Sequence, residues 1–137
     1  MQYISGIHAL NLKCSLDTCG DWHAAALKWN HPCINDSQGS LFGDYGIEMN
    51  RTIPEHSEKF AVANHIRALL DMLERGQFAL AQGMRKDFIC NDSYDDEVFE
   101  HVWAMRKLSN WPAISSFMGR EYAMRWLRFI RSKEKAS

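Results

Sequence analysis

Apolar residues at positions 3, 4, 7, 9, 10 and 12 open the chain, with aromatic and β-branched members first, and this pattern predicts a strand over residues 3–12. The character changes at residues 22–29. Ala24, Ala25, Ala26 and Leu27 are strong helix formers, Asp21 stands where an N-cap belongs, and Asn30-His31-Pro32 ends the segment, so a helix is predicted there. Residues 34–40 are rich in turn formers (Asn35, Asp36, Ser37, Gly39), and residues 41–48 read as a short strand interrupted by Gly43 and Gly46. A sheet of two or three strands is the expectation for this part.

From Pro54 onwards the apolar period is helical. Val62, Ile66, Leu69, Leu70 and Leu73 fall on one 3.6-residue face, and Gly76 is placed to stop that helix. Residues 78–84 continue as a second helix closed near Gly83, and the acidic stretch from Asp92 to Glu97 supplies a cap and first turn for a third, running to about Leu108. Trp111-Pro112 starts another element, and residues 121–135 read as a long helix with Tyr122, Trp126, Phe129 and Ile130 on its apolar side. The fold class is therefore α+β, a small N-terminal sheet packed against a mostly helical C-terminal two-thirds. With 137 residues, no repeat and no long linker, one domain spanning 1–137 is expected.

Composition adds little to this except in two places. A hydrophobic share of 46% and an aromatic share of 12% belong to a folded protein rather than a disordered one. No window approaches the roughly 18 apolar residues of a membrane span, and the first residues lack a basic, apolar leader, so no membrane contact and a cytoplasmic location are expected. In that compartment Cys14, Cys19, Cys33 and Cys90 are expected as free thiols or ligands. Charge is polarised: it amounts to −3 over residues 1–50, −4 over 51–100 and +6 over 101–137. On the basic end, Arg125, Arg128, Ser132 and Lys135 form a stripe at helical spacing that suits a phosphate backbone or an acidic protein surface, or simply solvates the helix.

The densest chemistry lies in residues 14–23. Cys14, Cys19, His23 and Cys33 carry three sulfurs and a nitrogen, a set that suits tetrahedral zinc. Their gaps of four, three and nine residues lack the close pairing of zinc knuckles, so neither a metal nor another cofactor is expected. Two glycine-flanked segments, Gly20-Asp21-Trp22-His23 and Gly43-Asp44-Tyr45-Gly46, each join a carboxylate to an aromatic ring. If they meet, Asp21, His23 and Asp44 form a general acid/base set with Trp22 or Tyr45 as a stacking surface. The plainer reading makes Asp21 a cap, His23 a solvated residue, and Trp22 and Tyr45 core. Arg67 lies with Asn64 and Asp71 on the helix face opposite the leucines, either as a solvated i,i+4 pair with Asp71 or reaching the Gly43-Asp44 loop or an anionic ligand. No Ser/His/Asp order and no Gly-x-x-x-x-Gly-Lys loop is present.

Ile7-His8-Ala9-Leu10-Asn11-Leu12, Gly20-Asp21-Trp22-His23, Phe42-Gly43-Asp44-Tyr45-Gly46 and Asn64-His65-Ile66-Arg67-Ala68-Leu69-Leu70 together resemble a small, poorly characterised bacterial family associated with toxin-antitoxin and phage-defence gene clusters. The resemblance covers residues 3 to 90 and carries over no catalytic residues. It implies a cognate protein partner and an antitoxin-like role, and leaves the chemistry open. The residues themselves offer the loop edge around Asp21 and Asp44, with Trp22, His23, Tyr45 and Arg67, as the surface that would bind and neutralise an enzyme. Charge complementarity would let such an acidic edge block a basic site. The alternatives are a small hydrolase or transferase acting on a nucleotide-like substrate through Asp21, His23 and Asp44, and nucleic-acid binding through Arg125, Arg128 and Lys135.

Overall fold

The computed structural model describes residues 1–23 and 26–136. The fold is α+β, with a four-stranded sheet near the N-terminus and helices through the C-terminal part. The strands are β1 (Gln2–Ile4), β2 (Ile34–Asp36), β3 (Ile47–Arg51) and β4 (Phe60–Ala63), in the order β2-β1-β4-β3. β1 pairs antiparallel with β2 and parallel with β4, and β3 runs antiparallel to β4 with a register shift between Glu48 and Arg51.

The expected strand over residues 3–12 is instead a three-residue strand and a short helix, α1 (Gly6–Leu10). Gly6 at φ +62° makes the turn between them, and Ala9 and Leu10 are buried on the helix. Of the helix expected over residues 22–29, Ala24 and Ala25 lie outside the described residues. Among the described ones no α-helix forms there. Residues 41–46 are turns, with Gly43 and Gly46 both at positive φ, so the strand expected from residue 41 begins only at Ile47. Val62, assigned above to a helical face, is a buried residue of β4.

The helical part follows its sequence signals more closely. α2 (His65–Glu74) stops before Gly76, which is at φ +74°. α3 (Phe78–Ala81) is followed by a π-helical turn over Met84–Ile89 and a 3-10 turn over Asp92–Tyr94. α4 (Asp95–Trp103) opens on Asp95, Asp96 and Glu97, where negative charge favours a helix N-terminus, and ends five residues before Leu108. α5 (Trp111–Tyr122) carries Pro112 in its first turn, as expected. The single helix foreseen over 121–135 is broken at Ala123, whose φ of +51° separates α5 from α6 (Met124–Ala136). No described helix is long and apolar enough to cross a membrane.

Two apolar clusters form the core. Tyr3, Ile4, Ala9, Trp29, Val62 and Ala63 fill the space beside the sheet, while Leu10, Ile66, Leu69, Leu73, Phe99 and Trp126 belong to a larger cluster among the helices. α2 serves both, and every residue from His65 to Leu73 is buried. That burial includes Arg67, at 0% exposure, and Asp71, at 2%, so the face expected to be solvated is interior.

Candidate functional site

The first turn of α2 is the point on which the chemistry converges. Asn64 caps the helix, its Oδ1 accepting from the Arg67 N–H at 2.9 Å, and His65 is the first helical residue. The loop of residues 12–20 wraps the His65 ring. Nε2 donates to the Leu12 carbonyl at 2.6 Å, and Nδ1 is 2.7 Å from Thr18 Oγ1. A carbonyl oxygen only accepts, so the proton of the neutral ring sits on Nε2 and Nδ1 accepts from the Thr18 hydroxyl. Thr18 Oγ1 is in turn 3.6 Å from Cys14 Sγ. Gly20, at φ +72°, lets the chain pass over the ring: a Cβ there would stand 2.7 Å from His65 Cε1 and 2.9 Å from the Leu10 carbonyl.

This surrounding sets the acidity of both groups. Burial alone would push the Cys14 thiol up, but the His65 side chain and backbone and the Thr18 hydroxyl bring it down to about 7. Burial also opposes a charged His65, yet Cys14, the Leu12 carbonyl and the Glu48 carboxylate together hold its pKa above the ordinary histidine value. A cavity of about 120 Å³ opens beside the pair, lined by Leu12, Lys13, Thr18, Asp21, Trp22 and His65.

Beyond Gly20 the loop is pinned by its own backbone. The N–H groups of Gly20, Asp21 and His23 donate to Phe88 O at 2.7 Å, Leu10 O at 2.9 Å and Asn11 Oδ1 at 2.8 Å. The Asp21 carboxylate bonds to His23 Nδ1 and lies 3.4 Å from Asn11 Nδ2. Trp22 projects outward at 81% exposure, which corrects its reading as core.

The second glycine-flanked segment meets the same turn of α2 on another side. At Gly46, φ is +71°, and a Cβ would stand 2.8 Å from Arg67 Cβ and 3.0 Å from Asn64 Oδ1. Gly46→Ala is therefore expected to cost roughly 1–3 kcal/mol, the range for a strained backbone conformation, and urea denaturation measures it. Arg67 reaches this loop, as one of its two sequence readings foresaw, donating through Nη1 to Gly43 O at 2.8 Å and Tyr45 O at 2.6 Å. Tyr45 stacks on His101 at 3.8 Å and bonds through its hydroxyl to Glu97, so its ring is occupied, and burial followed by the Glu97 contact raises its pKa. Asp44 is exposed, and no hydrogen bond joins it to Asp21 or His23 among the described residues. Of the three acid/base candidates, Asp21 and His23 are the two that a hydrogen bond joins.

The four candidate zinc ligands are likewise dispersed. Cys19 forms a disulfide with Cys90, with Cα atoms 5.9 Å apart, which overturns the expectation of four free thiols or ligands. Cys14 belongs to His65, His23 to Asp21, and Cys33 packs at Gly6, where its Sγ would lie 3.2 Å from an added Cβ. Among the described residues no group of three or more His, Cys, Asp or Glu side chains is arranged to hold a metal ion.

On the basic helix, Arg125 is held by Asp95 at 2.7 Å and Asp92 at 3.3 Å, while Arg128 and Lys135 are exposed. The Cys14–Thr18–His65 arrangement was missed by sequence reasoning. Fifty-one positions separate Cys14 from His65, and no local spacing signals that contact. In comparisons with protein-family models, curated proteins and solved structures, the chain matches none.

Proposed function

We propose that this chain is a protein-interaction module, antitoxin-like, which binds and neutralises a cognate enzyme through the edge of residues 20–23. The observation that carries this reading is the position of Trp22. Of the five tryptophans, Trp29 and Trp126 are buried and Trp103 and Trp111 partly so, whereas Trp22 stands in solvent. Tryptophan is among the residues most enriched in interface hot spots. Its backbone is already fixed by the bonds of Gly20, Asp21 and His23, so little entropy is lost when a partner closes on it. The Asp21 carboxylate beside it favours a partner whose socket is rimmed by basic groups.

The alternative readings have weaker support. A hydrolase built on Asp21, His23 and Asp44 lacks its third member at the site, and a nucleic-acid stripe loses Arg125 to Asp92 and Asp95. Arg67 has no N–H left for any ligand, since all five are used inside the fold. In the preferred reading the chain acts in the cytoplasm, where a bridge such as Cys19–Cys90 is formed and broken in use.

The test is co-purification from the native host with wild type, Trp22→Ala and Arg128→Ala. A stoichiometric enzyme partner is expected with wild type and Arg128→Ala. With Trp22→Ala the affinity should drop by about thirtyfold or more, the effect of a hot-spot truncation, while the melting temperature stays within about 2 °C. Retention by Trp22→Ala together with loss by Arg128→Ala would move the function to the C-terminal helix. A chain that purifies alone and turns over a nucleotide would replace this reading with the enzymatic one.

A further inference from the structure

Cys14 and Cys33 are both free and both half-buried, yet their surroundings differ. Among the described residues no side chain is hydrogen-bonded to the Cys33 sulfur, and His8 meets only its backbone N–H, at 3.2 Å; burial raises its pKa, with Arg75 opposing this and Asp71 adding to it. Cys14 has a complete relay. Its S–H faces Thr18 Oγ1, the Thr18 O–H faces the bare Nδ1 of His65, and the other ring nitrogen is anchored on the Leu12 carbonyl. The thiol proton passes to Thr18 as the Thr18 proton passes to Nδ1, which leaves a thiolate and an imidazolium. That is the logic of a nucleophile activated by a base that a third group orients.

We propose that Cys14 is a covalent modification site, a thiol activated by His65 both directly and through Thr18, which takes up small disulfides to form a mixed disulfide. The electrophile follows from the chain itself. Cys19, five residues away and exposed, is paired with Cys90, so this surface already carries a bond that forms and breaks by thiol–disulfide exchange. In the step, the Cys14 thiolate attacks one sulfur of R–S–S–R, the Cys14–S bond forms as the S–S bond breaks, and the departing RS⁻ takes back the proton held at His65 Nδ1. No further oxidant or reductant is needed. Thr18 and His65 are positioning residues that act through the sulfur.

The other charged groups around the loop are Glu48, Arg51, Lys13, Asp17 and Asp21, the last lining the cavity beside His65 with its carboxylate bonded to His23. Glu48 Oε2 accepts from the Ser15 N–H at 2.9 Å and hydroxyl at 2.6 Å and is paired with Arg51, which also donates to the Lys13 carbonyl. Asp17 is tied through its backbone to Tyr94 and Asn91. Of these only Glu48 acts on His65, in the direction that favours the imidazolium.

The experiment uses the non-reduced full chain with 5,5′-dithiobis(2-nitrobenzoate), read by the released thiolate, and with glutathione disulfide, read by peptide mass mapping. One equivalent is expected to react fast at pH 7 and to map to Cys14, at least fivefold faster than Cys33, with a rate half-maximal near pH 7. Thr18→Val keeps the side-chain shape and removes the hydroxyl. It should slow Cys14 about three- to tenfold at pH 7 and move the half-maximal pH towards the ordinary thiol value of about 8.5. His65→Gln should give at least as large a displacement, and far-ultraviolet circular dichroism reports whether either variant is folded. Cys14 reacting no faster than Cys33, a Thr18→Val profile unchanged from wild type, or a label that maps to Cys19 or Cys90 would overturn the assignment.

Discussion

Arg67→Ala is expected to cost about 3–5 kcal/mol, the loss measured when one partner of a buried ion pair is removed, and that is a large share of the roughly 5–15 kcal/mol by which a domain is stable. All five guanidinium N–H groups are used: Nε on Asp71 at 3.0 Å, Nη1 on the carbonyls of Gly43 and Tyr45, and Nη2 on Tyr3 Oη and Ser40 Oγ, each at 2.9 Å. Asp71 is equally committed, since its Oδ2 accepts from Tyr3 and Ser5 at 2.6 Å each and from Asn35 at 3.3 Å. Removing the guanidinium therefore strands a buried carboxylate and two backbone carbonyls together. Arg67→Lys should rescue little, because three donors on a point charge cannot meet five acceptors arranged for a planar fork. Removing both charges with Arg67→Met and Asp71→Leu restores apolar packing but leaves the Gly43 and Tyr45 carbonyls and the Tyr3, Ser5 and Asn35 donors without these partners, so it should recover little of the loss. Urea denaturation of the three variants decides this, and an Arg67→Ala protein within about 1 kcal/mol of wild type would refute the keystone role.

The same pair marks the limit of what the sequence disclosed. Helical periodicity placed Ile66, Leu69, Leu70 and Leu73 on one buried face correctly, and it left Arg67 and Asp71 opposite them. An amphipathic pattern says which face is apolar. It does not say that water lies on the other face, and here strand β1 and the turn at Gly43 and Gly46 lie there with polar groups that need partners. Local punctuation was legible wherever a single residue type decides the backbone: Gly76 after α2, Pro112 in the first turn of α5, the acidic start of α4. It failed where tertiary contact overrides propensity, as in α1 and β4. Of the candidate site, the Gly20–His23 edge could be read because its residues are contiguous. The Cys14–His65 pairing could not, because folding alone brings those residues together.

Cutting the Cys19–Cys90 bridge is expected to lower stability by about 4 kcal/mol and the melting temperature by roughly 12–16 °C. The bridge joins residues 71 positions apart, and closing a loop of that length in the unfolded chain removes entropy worth about 4 kcal/mol. Sequence could not assign the pairing, since four cysteines allow three connectivities and the compartment argument disfavoured all of them. The folded state should change little, because non-covalent ties hold the same two segments: Gly20 N–H on Phe88 O at 2.7 Å, Asp17 N–H on Tyr94 Oη at 2.9 Å and Asn91 Nδ2 on Asp17 O at 2.9 Å. The loss thus acts on the unfolded ensemble, and the edge that carries Trp22 stays in place. Calorimetry with and without reductant measures the effect, and Cys19→Ser/Cys90→Ser should match reduced wild type and be insensitive to reductant. Binding of the proposed partner by that double variant should fall by less than tenfold, since the backbone bonds of Asp21 and His23 do not depend on the bridge. A melting temperature unchanged within about 2 °C would mean that residues 19 and 90 are held together in the unfolded chain without the bond, and a large loss of binding at unchanged stability would make the bridge part of the docking surface.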